Sequence, residues 1–339
     1  MNLLVIRFSA LGDVTLSAVV VDALLEANPN LSIWFISKSI HQPLFNKNPR
    51  FHFIAADLKG EHKGVIGLIK LFRHSLSLAK FDGVVDLHDV IRSKFLLILF
   101  RFIGLKTICF NKGRKQKNKL LKNKSAFEKL PHSTERYLNS FEKLGLSANL
   151  NKKSWLKTKK SKLIDKQNGV KYIGIAPFAA HKSKEWGLTK ISSLIESLSH
   201  CTILLFGGGE NEVTQLKELS NKFTHCTLIA GKYSLEKELE IIAELDLMIS
   251  MDSANMHLAS LVGTKVISIW GPTHHYFGFG PLNNEQLIIE KSRAELSCRP
   301  CSIYGRINNS EQQKCAEKSM QLISVEQVLE KALNVLNQR

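Results

Sequence analysis

The sequence predicts an α/β protein built from two Rossmann-like, doubly wound parallel-sheet domains facing a central cleft. Three observations carry this. Short apolar runs alternate with helical periods, the alternation occurs twice, and a polar lysine-rich stretch separates the two blocks. Strands separated by helices imply parallel βαβ units, and 339 residues suit two domains of about 150 each.

In the first block, Leu3 to Phe8 is a nearly unbroken apolar run, as expected of a buried parallel strand. Val14 to Ala27 follows as a helix closed by Asn28-Pro29. Further strands are expected at 31–37, 51–55, 83–87 and 106–110, with helices at 64–79, 91–102 and 132–144. The second block places strands at 172–176, 201–206, 227–230, 247–250 and 265–270. Helices lie between them at about 188–198, 210–221, 234–244 and 253–261, and a last helix spans 324–336. The expected units are residues 1–160, residues 168–323 and a C-terminal helix at 324–339, with the linker near 150–168. Each sheet would bind ligand beyond the C-terminal ends of its strands.

The net charge of +17 is unevenly spread. Residues 1–165 hold 29 Lys and Arg against 12 Asp and Glu, whereas residues 166–339 hold 18 of each. The first half is therefore expected to meet something anionic: nucleic acid, anionic lipid or a phosphorylated substrate. Lys112 to Lys124 is dense in basic residues and has no acid; it reads as a flexible or partly helical segment outside the core, a solvated face and a candidate anion contact. It contains no aromatic residue, which argues against base stacking there, though phosphate-only binding survives. The opening apolar run is too short for a signal peptide and lacks a basic segment before it, so a cytoplasmic protein is expected. Its six cysteines are then expected to be reduced.

Four loops fall at strand ends. The first is Arg7-Phe8-Ser9-Ala10-Leu11-Gly12-Asp13, with a single glycine and therefore no dinucleotide fingerprint. Asp13 reads locally as a helix N-cap, and functionally as a carboxylate general base. The second is Gly207-Gly208-Gly209-Glu210, where Gly208 allows close backbone approach and Glu210 complements a helix dipole or a ribose hydroxyl. The third runs from Ser250 to Ala259. Asp252 and Ser253 are natural caps, Ala254 opens the helix, and His257 lies one turn in on the side of Ser253, an arrangement suited to a diphosphate. The fourth, Pro177 to Trp186, carries Lys182 and Lys184, placed to neutralise that diphosphate. Cys298, Cys301 and Cys315 are one ligand short of a tetrahedral zinc set, and no metal is expected.

Together these residues resemble glycosyltransferase family 9, the bacterial heptosyltransferases of lipopolysaccharide core assembly. The resemblance rests on Ser9 to Val14 after the first strand, Val85-Asp86-Leu87-His88 with Arg92-Ser93, and Glu135-Arg136-Tyr137 before Leu144-Gly145. Its most specific parts are Met251 to Ala259 and Trp270-Gly271-Pro272-Thr273, and Cys298-Arg299-Pro300-Cys301 is similar to a cysteine motif of many members. The chain departs from the family at Ala254-Asn255, where Gly-Pro is usual, at Ala179-Ala180, where a small hydroxyl residue is common, and at Ser319, where a last cysteine is usual.

The resemblance implies a GT-B fold and inverting, metal-independent transfer. A nucleotide-sugar co-substrate, ADP-heptose, would lie on the second domain, and a phosphorylated lipid-linked saccharide on the first. Asp13 would be the general base, with Arg7, Ser9, Arg92 and Arg136 toward the acceptor. Lys182, Lys184, Gly208, Glu210, Asp252, Ser253, Ala254 and His257 would bind the donor. It further implies a monomer at the inner face of the cytoplasmic membrane, needing no cofactor. A UDP- or GDP-sugar donor is the nearest alternative, and a basic nucleic-acid-binding protein is the alternative of another class.

Overall fold

The structure, a computed structural model, describes residues 1–122, 127–164 and 166–338. The chain divides into two compact units. One holds residues 1–114 and 131–156; the other holds 115–130 and 157–339.

The first unit contains β1 (Asn2–Ile6), α1 (Leu11–Ala27), β2 (Ser32–Ser37), β3 (Phe51–Ala55), α2 (Gly64–Leu78), β4 (Gly83–Asp86), α3 (Ile91–Phe102) and β5 (Lys106–Cys109). Next come α4 (Arg114–Lys122), most of which belongs to the second unit, and α5 (Ser133–Glu142). The strands form one parallel sheet in the order β3-β2-β1-β4-β5. The interior of β1, Leu3 to Ile6, is wholly buried, as a strand covered on both faces requires. Leu68 and Leu71 of α2 and Leu96, Leu97 and Phe100 of α3 pack on one face of this sheet in a common core.

The second unit contains β6 (Tyr172–Ala176), α6 (Leu188–Ser197), β7 (Thr202–Leu205), α7 (Glu210–Lys222), β8 (Cys226–Leu228), α8 (Leu235–Ala243) and β9 (Leu247–Met251). It continues with α9 (Ala254–Val262), β10 (Val266–Trp270), β11 (Ile288–Glu290), α10 (Ser310–Gln321) and α11 (Val325–Asn337). Its parallel sheet runs β11-β10-β9-β6-β7-β8. Counted within the unit, that is the 3-2-1-4-5-6 order of dinucleotide-binding sheets. Strand β11 and helix α10 go beyond the predicted elements.

Helix α11 is integral to the second unit. Val328, Ala332, Val335 and Leu336 enter the same core as the sheet. Ile323, just before it, is fully buried, and its carbonyl accepts from Trp186 Nε1 (3.0 Å) and Lys190 Nζ (2.7 Å). Ile323→Ala is expected to lower the unfolding free energy by about 2–5 kcal/mol, seen as a lower denaturant midpoint of the whole chain. An unchanged midpoint would mean that α11 docks without this anchor.

The basic run does not behave as one solvated surface. Lys115 and Lys119 are exposed, but Lys117 is buried with its ammonium 4.0 Å from the centre of the Phe279 ring and 5.7 Å from that of Tyr304. The expectation that this run lies outside the core therefore fails at Lys117, which is buried with its ammonium against two aromatic rings. Lys124, also part of that run, lies outside the described residues. The expectation of six reduced cysteines is also corrected. Cys298 and Cys315 form a disulfide across a Cα separation of 6.1 Å, which suits a bridge. Cys109, Cys201, Cys226 and Cys301 are free thiols.

Candidate active site

In the first sheet the strand order reverses between β1 and β4, and ligands of such sheets bind beyond the strand ends at that reversal. Two loops meet there. Arg7 follows β1 and is buried, and its Nη2 lies 2.7 Å from Asp13 Oδ2. Its Nη1 donates to the Leu87 carbonyl, and the rings of Tyr137 (5.2 Å) and Phe110 (5.8 Å) flank the guanidinium. Burial by itself would lower the pKa of Arg7, but Tyr137 and Asp13 hold it above its ordinary value.

Asp13 is the third residue of α1, and its side chain is 37% exposed. The N-cap is Ala10, with no side-chain bond, so the capping role is not what Asp13 performs. Its carboxylate is instead gripped at one oxygen by Arg7, while the Tyr137 hydroxyl donates to the other at 3.4 Å. Both oxygens are thus held, and the side chain stays partly exposed.

The second loop hangs on buried Asp86, the last residue of β4. It accepts from the backbone of His88 (2.7 Å) and Asp89 (3.1 Å) and from Ser93 Oγ (2.8 Å). This turns His88 back toward β1. There His88 Nδ1 accepts from the Phe8 amide (3.4 Å) and Nε2 faces Ser9 Oγ at 3.3 Å. Burial, then Arg7 and Lys112, push His88 down to about 4, so it is neutral near pH 7. His88 was visible in the sequence only as part of a motif.

Of the residues expected to face an acceptor, Arg7 and Ser9 gather with Asp13 and His88. Arg92 is exposed on α3 and lines an open hollow of about 570 Å³ with Asp89, Lys94 and Arg114. Arg136 is buried on α5, donates to the Pro131 carbonyl (3.3 Å) and packs against Gly113.

In the second sheet the order reverses between β6 and β9. Lys184, after β6, is buried; its Nζ donates to the Asp252 carbonyl (2.6 Å) and lies 3.2 Å from Asp252 Oδ2. Thr273 Oγ1 donates to the same carboxylate oxygen at 2.8 Å. Ser253 caps α9 without a side-chain bond to the helix, and its Oγ sits 3.1 Å from Ser250 Oγ. Ala254 is the first residue of α9, and buried His257 lies one turn in. Lys182 is exposed and lines a hollow of about 310 Å³ with His181, Glu185 and Gln313. Glu210 is exposed at the start of α7, and the Gly208 amide instead donates to Glu212 Oε2 at 2.8 Å.

Arg299 stands out in the sequence only as part of the cysteine-flanked motif. It is fully buried and donates to the carbonyls of Gly271 (2.5 Å) and Thr273 (2.8 Å) and to Glu290 Oε2 (2.7 Å). It thereby holds the loop that carries Thr273 to Asp252. Glu290 also meets His274 and His275, and the three have ligand atoms within 4.8 Å of one another. However, His274 Nδ1 accepts from the Tyr276 amide (3.1 Å), which puts the proton on Nε2, facing Glu290. With Arg299 on its other oxygen, Glu290 belongs to an ion network rather than an open ligand set. Burial would raise Glu290, but the His275 bond and Arg299 take it down to about 2.

These environments set a pH dependence of stability. Burial holds His41 and His88 down to about 4 and His274 down to about 3, against an ordinary value of 6.5. The unfolded chain takes up their protons near pH 6.5 and the folded chain does not, so stability is full above pH 6.5 and falls as pH drops toward 4. Glu238, pushed up to about 7 by burial, acts in the opposite sense between pH 7 and 4.5. Asp86 and Glu185, raised by burial, act in the same sense as Glu238, but their shifts are smaller than those of the three histidines, which leave a net loss of about 1–2 kcal/mol per pH unit near pH 5.5. Urea denaturation at pH 7 and pH 5.5 reads this directly. Equal or greater stability at pH 5.5 would contradict the neutral burial of the histidines.

Solved structures of similar fold define the class. A glycosyltransferase family 9 protein from Veillonella parvula aligns with a TM-score of 0.77 at 20% identity, covering 100% of this chain and 98% of that one. The Escherichia coli ADP-heptose lipopolysaccharide heptosyltransferase II aligns with a TM-score of 0.70 at 19% identity, covering 100% and 99%. The fold is thus that of the GT-B glycosyltransferases. Residues 69–309 match the family model described as glycosyltransferase family 9 (heptosyltransferase). Lipooligosaccharide heptosyltransferase 2 of Campylobacter jejuni is 30% identical over 279 residues, 78% of this chain and 79% of that protein. The chain belongs to glycosyltransferase family 9 and is a glycosyltransferase.

Proposed function

We propose that this enzyme transfers a heptose from ADP-heptose to a phosphorylated lipopolysaccharide core or lipid A acceptor, with inversion and without a metal ion. The observation that carries the reading is the Arg7–Asp13 pair, a carboxylate fixed at the reversal of the first sheet and 37% exposed. Asp13 takes the proton of the acceptor hydroxyl as that oxygen forms its bond to the anomeric carbon. The bond from that carbon to the diphosphate breaks, and ADP leaves with the electron pair. Positive charge for the leaving group comes from Lys184, from exposed Lys182 and from the free amides at the start of α9. Neutral His88, with its proton on Nε2, orients Ser9 and, with it, the acceptor. The basic first half suits a phosphorylated lipid-linked acceptor and peripheral placement, as a monomer, at the cytoplasmic face of the inner membrane.

A thermal-shift series with ADP, UDP, GDP and short DNA tests the donor. Stabilisation by ADP alone fits the proposal. Stabilisation by UDP or GDP keeps the chemistry and changes the donor, whereas a shift with DNA alone overturns the reading. The Lys184 side chain adds a structural check. Gly305 has φ +93, and a Cβ there would lie 2.7 Å from Lys184 Cγ and Cδ. Gly305→Ala is therefore expected to displace Lys184 and weaken ADP binding about tenfold, about 1.4 kcal/mol. Wild-type affinity in that variant would separate Lys184 from the donor.

A further inference from the structure

We infer that the outer face of α2 and α3 is a membrane-docking surface that seats the first unit on an anionic bilayer. The inference rests on the proposed lipid-linked acceptor for its choice of occupant. Among the described residues, eight of the fourteen exposed large apolar side chains lie on these two helices or directly after α3. Ile91 is 88% exposed, Phe102 84%, Ile66 75% and Ile98 48%.

The pattern on α3 is regular. At about 100° per residue, exposed Ile91, Ile98 and Phe102 fall in one sector about 40° wide, with Phe95 at its edge, half-buried against the core. Ser93, Leu96, Leu97 and Phe100 occupy the opposite sector and are buried. The helix thus has two apolar faces, one spent on the sheet and one turned outward. Arg92 flanks the outward stripe on one side, and Lys94 and Arg101 flank it on the other. Helix α2 packs beside α3, with Phe72 and Phe100 4.8 Å apart, and adds Val65 and Ile66 with Lys70 and Arg73. Neither helix contains an acidic residue. Asp89 lies just before α3, and Lys94 and Arg114 neutralise it (2.8 and 3.1 Å).

Charge selects the occupant. A large exposed apolar patch marks an interaction surface. A second copy of this chain would bring two like-charged basic faces together. A bilayer bearing anionic headgroups complements the arginines and lysines while its acyl boundary takes the apolar stripe.

The test is sedimentation of the full chain with vesicles, without donor or acceptor. Phosphatidylcholine alone is compared with phosphatidylcholine containing roughly a third phosphatidylglycerol. Wild type is expected to bind the anionic vesicles and to be released by salt. Ile98→Ser/Phe102→Ser, which changes only exposed side chains, is expected to bind about tenfold more weakly or worse. Phe102→Trp keeps the stripe apolar and is expected to show a blue-shifted, lipid-quenched emission. Failure of wild type to bind, unaltered binding by the double serine variant, or a water-exposed emission from Phe102→Trp on vesicles would each overturn the inference. So would a wild-type dimer that the serine variant dissociates. Because no substrate is present, these results are independent of the ADP-binding series.

Discussion

Asp13→Asn is expected to lower turnover by about 10²–10⁴-fold, the usual range for removing a general base. The amide keeps the shape of the carboxylate and can still accept from Arg7 but cannot take the proton of an acceptor hydroxyl. A stability cost accompanies it, since Arg7 is buried and loses its counter-charge. Full burial of such a pair would make that cost about 3–5 kcal/mol, but Asp13 is 37% exposed, so water screens part of the loss and about 1–2 kcal/mol is expected. Stability and catalysis are therefore measured separately. Nucleotide binding should persist at a temperature where the variant is folded, while sugar transfer disappears. Near-normal turnover would remove Asp13 as the base. Loss of nucleotide binding together with turnover would point to general unfolding. Asp13→Glu keeps the charge and shifts it by one methylene, so partial activity there would tie the effect to proton transfer.

The candidate site was partly legible in the chain. Asp13, Arg7 and Ser9 stand after an apolar run at the start of a helix, and strand-end loops are where doubly wound sheets bind ligand. What could not be read was which of the local roles of Asp13 wins. The capping alternative was equally consistent with spacing, and only the approach of Arg7 decides against it. His88 was hidden for a related reason. Its position depends on Asp86 collecting two amides and a hydroxyl, a turn that hydropathy does not encode.

The fold was legible wherever periodicity was strong, and the misses have physical causes. Strand β11 has three residues, only one of them buried, too short for an apolar run to stand out. Helix α10 is polar over most of its length, with Cys315, Ala316, Ser319 and Met320 as its buried residues, so it resembled a loop. Lys117 shows the limit of charge counting, because a lysine in a basic run was assigned to solvent, yet Phe279 and Tyr304, distant in sequence, enclose it. Arg299 shows the converse, a charge in a cysteine-flanked segment that is fully buried because backbone carbonyls and Glu290 satisfy it.

Lys184→Met is expected to weaken ADP binding about 10²-fold and to lower turnover by a further 10²–10³-fold, because a cation that meets a leaving diphosphate acts most strongly as charge develops there. The difficulty is that Lys184 has an internal partner. Its ammonium rests on Asp252, and both side chains are largely buried. Removing it also strands that carboxylate, at a cost that reaches about 3–5 kcal/mol for a buried pair. Asp252→Asn separates the two roles. It keeps an acceptor for Thr273 Oγ1 and releases the ammonium from its counter-charge. If Lys184 binds the diphosphate, Asp252→Asn retains ADP affinity or improves it, and Lys184→Met/Asp252→Asn regains stability but not turnover. If Lys184 serves only to hold Asp252, all three variants lose ADP binding alike and the double variant is no worse than either single one. The first pattern ties Lys184 to the donor, and the second makes it a strut between β6 and β9.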